Sequence, residues 1–282
     1  MKKMVKIANF AVIAITFAVL AAFPTTSRAN HQWGTYHWAR TSNPFTLKVG
    51  NNVTSNWTSD FNTSISDWSQ SSVMNLSAIS GTAGKRCKMV VGTIQVCNDR
   101  YGNNGWLGLA SINITGGDHI TQGSAKMNDT YFNTSTYNNP NEKLHVMCQE
   151  VGHTFGLGHT SEDGSSQNTC MDYFSNTGAN AGSTLSTHPN KHDYDTLALM
   201  YAHLDTTTTI GFTASGPGNS ANANADSNEN PNDWGMLMRQ SANGRSSTYE
   251  KDLANGNSII THVFWTEERA ETCRGCDHRF HE

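Results

Sequence analysis

The stretch His145-Val-Met-Cys-Gln-Glu-Val-Gly-His-Thr-Phe-Gly-Leu-Gly-His159 decides how this chain is read. Ahead of it stands a helix-start signal: Asn139 as N-cap, Pro140 at the first helical position and Glu142 three residues after the cap. On that helix Gln149 and His153 lie one turn apart on one face, so both can reach a single ion. Glu150 sits beside them, where a carboxylate can take a proton from metal-activated water. Gly156 can end the helix with a positive φ and swing His159 back as a third ligand. Leu144, Cys148, Val151 and Phe155 form the expected buried stripe.

From Glu150 onward these residues resemble the motif His-Glu-x-x-His-x-x-Gly-x-x-His of the metzincin zinc endopeptidases, of matrixin-like type. Gln149 stands where that motif has its first histidine. Cys170-Met171-Asp172-Tyr173 follows at a distance suited to the family's methionine turn, with Met171 beneath the metal. The resemblance covers residues 44–205 and implies zinc held by Gln149, His153 and His159. It further implies Glu150 as general base and Tyr173 as stabiliser of the tetrahedral intermediate. It also implies an α+β fold: a twisted mixed sheet with an upper-rim edge strand, two long helices and a C-terminal helix. Extended peptide substrate would pair along that edge strand.

Gln149 gives two readings. Its amide oxygen is a neutral, weak ligand beside imidazole and is foreign to the usual zinc set. His145 is no simple substitute, being about 12 Å from His153 along a helix. One reading is a secreted zinc-dependent endopeptidase. The other is a metzincin-fold binding module that has lost tight zinc binding.

Composition bounds the rest. Lys2, Lys3 and Lys6 precede an apolar run, and Ser27-Arg28-Ala29 offers a cleavage site, so 1–29 reads as a signal peptide and the protein as secreted or periplasmic. The formal net charge is −4; loss of these three lysines and Arg28 takes it to −8. Such a chain lacks the basic patch of a nucleic-acid binder, and after cleavage it has no membrane anchor. No oligomer signal stands out, so a monomer is expected. Six cysteines in an exported chain favour disulfides. Cys87 and Cys97 can pair locally, Cys148 and Cys170 can tie the helix to the methionine turn, and other connectivities stay open.

Along the chain, 30–43 is a short lead-in. Phe45–Val49 reads as a strand and 55–70 as an amphipathic helix carrying Trp57, Phe61, Ile65 and Trp68. Strands are expected at 73–78, 88–96 and 106–115, and the alternation over 119–128 suggests the edge strand. A last helix begins near Asn190. Residues 206–231 read as linker. Turn signals Asn243-Gly244 and Asn255-Gly256 divide 232–267 into a small antiparallel β unit, and 268–282 is a Cys/His-containing tail. A second structural metal could involve His119, His188 or His192, and calcium could involve Glu162 and Asp163; ordinary polar surface accounts for them equally.

Overall fold

Side-chain chemistry fixes the starts of the helices that follow Asn139 and Asn190. The computed structural model describes residues 31–84, 86–211, 230–253, 255–272 and 275–280. The expected signal peptide, most of the linker, Cys273 and His281 lie outside the described residues. In chain order the elements are β1 (His37–Trp38), β2 (Phe45–Asn52), α1 (Thr58–Trp68), β3 (Met74–Ser80), β4 (Ile94–Asp99), β5 (Trp106–Thr115) and β6 (His119–Asn128). There follow α2 (Asp129–Phe132), α3 (Pro140–His153), α4 (Lys191–Met200), β7 (Met236–Gln240), β8 (Ser246–Asp252), β9 (Asn257–Trp265) and α5 (Glu267–Thr272). The fold is mixed α and β, consistent with the α+β class. Asn139 caps α3 by accepting from Glu142 N, and Asn190 with Asp193 forms a full capping box on α4.

The strands form one mixed sheet in the order β3-β2-β4-β6-β5-β9-β8-β7, with β1 added beside the start of β6. β3, β2, β4 and β6 pair in parallel. β5 runs antiparallel to β6 and to β9, and β7–β9 form an antiparallel meander. The C-terminal β unit therefore continues the main sheet rather than standing apart. Of the expected linker the two ends are described, and its start is tied down: Thr209 N donates to Ala39 O and Gly211 N to Gly92 O, both at 2.9 Å.

Two expectations change. Residues 119–128 are not an edge: β6 is flanked by β4 and β5. Its alternating polar side chains are buried and bonded within the protein, as where Asn128 Nδ2 donates to Gly102 O and Lys126 Nζ to Arg86 O. Alternation marked two kinds of interior here, not inside and outside. The strand expected over 88–96 begins only at Ile94 and runs to Asp99; β5 too is interior, because β9 runs along its whole length. An apolar, flat strand such as β5 would invite mispairing if left open.

The main core lies between the sheet and α1, α3 and α4, around Trp57, Phe61, Trp68, Val151, Phe155 and Leu197. Ile260 and Phe264 of β9 belong to the same cluster. A second cluster joins Trp106, Leu109, Trp234, Tyr249, Val263 and Trp265; side-chain alternation along β9 sends neighbouring residues to the two clusters. Disulfides join Cys87 to Cys97 and Cys148 to Cys170. Among the described residues no helix is long and apolar enough to cross a membrane.

Candidate metal centre

The last turn of α3 brings His153 to the site, and the turn after it brings His159. Gly156 has φ +94°, and a Cβ there would stand 2.0 Å from Tyr36 O. The bend therefore needs glycine for both conformation and space. Trp33 N donates to Gly156 O at 2.7 Å, seating the lead-in strand over the bend. Beneath α3, a Cβ on Gly152 would lie 2.6 Å from Met171 Sδ, so the expected methionine turn packs directly under the helix. The Cys148–Cys170 bridge fixes that turn covalently.

The structure joins His153 and His159 to a third histidine, His262 of β9. Each offers a ligand atom within 4.8 Å of the others. The ring centroids are 4.5 Å apart for His153–His159, 4.0 Å for His153–His262 and 4.8 Å for His159–His262. His262 was missed in the sequence because it lies 112 residues beyond Glu150. The only signal was its place between Ile260 and Phe264, whose alternation puts all three on one strand face.

The tautomers suit a metal. His153 Nδ1 donates to Leu157 O at 2.7 Å, which leaves Nε2 as a bare lone pair in the neutral ring. That Nε2, like His159 Nε2, is buried without a hydrogen-bond partner. Tyr173 Oη lies 2.6 Å from His159 Nδ1 and 3.4 Å from His262 Nε2. Glu150 Oε2 accepts from His262 Nδ1 at 3.2 Å, the carboxylate–histidine arrangement that orients metal ligands. Burial pushes His153 and His262 down to about 3, the latter by burial alone, and holds His159 well below its ordinary range. The neutral imidazole is the ligating form. Burial drives Glu150 up to about 8.

Gln149 is buried, and its Nε2 donates to Cys170 O at 3.1 Å and to Asp172 O at 2.7 Å. Its Oε1 is buried without a partner. The amide thus clasps the methionine turn, a job needing two donors on one nitrogen. His145 reinforces it, with Nε2 donating to Asp172 O at 3.1 Å. The metal centre opens into a cavity of about 570 Å³ bounded by Trp33, Tyr36, Glu162, Arg239 and Glu250.

The other candidate groups divide: among the described residues His119 and His192 each stand in a cluster of possible ligand atoms, while His188 and the Glu162–Asp163 pair do not. His188 pairs with Asp67, and His192 stacks on His31. Glu162 pairs with Arg239 at 2.8 Å, while Asp163 accepts from Ser161 and Ser165, so they do not converge as a calcium site. Cys276 is disulfide-bonded, and His278 Nε2 donates to Gly244 O; the tail is docked structure. Two further places among the described residues bring His and Asp within reach of a metal: His31, His192 and Asp193, and the surroundings of His37. Compared with known protein families and with curated proteins, the chain matches none.

Proposed function

We propose that the protein is a secreted zinc-dependent endopeptidase of metzincin type in which His262 takes the place of the absent first motif histidine. The observation that carries this reading is the convergence with Glu150 of three neutral imidazoles, two buried and His159 half-buried, of which His153 and His159 have buried, unpartnered Nε2 atoms. Three histidines with one open position are a catalytic rather than a closed structural ligand set. Zinc bound there would supply Lewis acidity toward water and a peptide carbonyl.

The chain's own groups do the rest. Leu157 O and Tyr173 Oη take the Nδ1 protons of His153 and His159 and aim their Nε2 atoms. Glu150 Oε2 does the same for His262, while Oε1, buried and without a partner, is the atom able to accept a proton. Tyr173 Oη, once it accepts from His159, keeps its own hydrogen to donate to a substrate oxygen. Gln149 is a positioning residue that holds the methionine turn against α3. With β5 covered by β9, peptide would enter across the cavity, beside the open edge of β7, whose Met238 and Arg239 line it.

The test uses the exported protein supplied with zinc and a denatured protein substrate. Cleavage is expected, lost on chelation, and reduced about 10²–10⁴-fold in Glu150→Gln, the usual worth of a general base. His262→Ala is expected to lose one zinc equivalent. Absence of cleavage by wild type, or equal cleavage by Glu150→Gln, would overturn the reading. A metzincin-fold binding module that does not hold zinc tightly is the second reading, favoured by the covering of β5; partner binding that survives Glu150→Gln and chelation would select it.

A further inference from the structure

A second cluster of ligand atoms lies at the opposite end of the lead-in strand from the candidate catalytic centre. β1 pairs with β6 in parallel, with His37 in register with His119. Register partners in a sheet stand on the same face, and the two rings meet at 5.0 Å. The chain leaving α4 brings His203 and Asp205 to the same spot. His37 Nε2, His119 Nε2 and His203 Nε2 stand 3.4, 3.3 and 3.7 Å from a single atom, Asp205 Oδ1. His203 Nε2 and His37 Nε2 are 3.1 Å apart.

The four distances, 3.1–3.7 Å, match the edges of a coordination shell. A tetrahedral zinc with arms of 2.0–2.1 Å holds its ligand atoms about 3.3 Å from one another. His37 Nδ1 donates to Thr35 O at 2.8 Å, which leaves Nε2 as the ring atom facing Asp205 Oδ1. Three ring nitrogens gathered around one carboxylate oxygen are a donor set that a single cation would satisfy at once.

The surroundings are organised to keep the cluster in place. Asp205 Oδ2 accepts from Arg40 N at 3.1 Å and from Arg40 Nη1 at 2.9 Å, leaving Oδ1 to the three imidazoles. Arg40 also donates to His203 O, and its guanidinium lies over the Tyr201 ring. Asp118 Oδ1, 3.6 Å from His119 Nε2, adds a second negative charge that balances Arg40. The three imidazoles and one carboxylate suit zinc above magnesium or calcium, which prefer all-oxygen shells.

We propose that His37, His119, His203 and Asp205 form a second, structural zinc site that clamps the lead-in strand to the segment following α4. The proposal does not depend on the catalytic reading. Its test is cobalt(II) titration of the metal-free exported protein, with bound metal counted and tetrahedral coordination read from the visible absorption. The proteins compared are wild type, His203→Ala, His119→Ala/His203→Ala and His262→Ala. The His203 side chain is half-exposed, so its loss leaves the core intact; circular dichroism checks folding of every variant. Two equivalents are expected for wild type, and one for the double variant and for His262→Ala. His203→Ala should weaken one equivalent at least ten-fold. Two tight equivalents persisting in the double variant, or a single wild-type equivalent lost only in His262→Ala, would overturn the second site. Two equivalents in His262→Ala but one in the double variant would support it while removing His262 from the first.

Discussion

Glu150 is the side chain on which the proposed chemistry turns, and its surroundings make that checkable. In the metal-free protein its folded pKa of about 8 exceeds the ordinary 4.5. A carboxyl raised on folding stabilises below its unfolded value and loses that contribution as pH rises through the folded value. Compared with Glu150→Gln in chelator, wild type should therefore lose stability between pH 4.5 and 8. The expected slope approaches 1.4 kcal/mol per pH unit, read from urea midpoints; parallel curves would contradict it. Space is equally confining: a Cβ on Gly108 would meet Glu150 Oε1 at 2.5 Å and Val146 Cγ1 at 2.7 Å. Gly108→Ala should destabilise by about 1–3 kcal/mol through overpacking and lower any cleavage rate. Gln149→Ala should strip Cys170 O of its donor and Asp172 O of one of its two, and cost about 1–3 kcal/mol in denaturant while metal content stays at wild-type level. At this scale the sequence was legible for His153, Gly156, His159 and Met171, which share one short stretch and its turn. The motif places Gln149 among the ligands, while its Nε2 bonds to the methionine turn; position in a motif does not say which way an amide faces.

The elements were legible where a signal was local. The cap at Asn139, the box at Asn190 and the bounds of β5 and β6 follow from neighbouring residues alone. Pairing was not, because strand order depends on which surfaces meet. β6 reads as an edge by alternation and lies inside the sheet, and a hairpin unit that looks marginal alone gains its stability by extending β5. The covalent link between α3 and the methionine turn makes one element-scale prediction. Replacing Cys148 and Cys170 by Ser opens a loop with sequence separation 22, which should cost about 2–4 kcal/mol. Thermal denaturation checks it. Metal should then bind more weakly, since the floor of the site is no longer fixed.

At the scale of the whole molecule, β9 makes a separate C-terminal unit impossible. Phe264 is fully buried in the main core, so Phe264→Ala should cost about 3–5 kcal/mol. Fluorescence and circular dichroism should still report one coincident unfolding transition; two separated transitions would mean that the hairpin folds independently. The 112 residues between Glu150 and His262 also set a schedule. A chain crossing a membrane from its N-terminus delivers His153 and His159 early and His262 almost last. Under the proposed function the ligand set is complete only once β9 has paired with β5, so a chain clipped before β9 would lack the third histidine of the site.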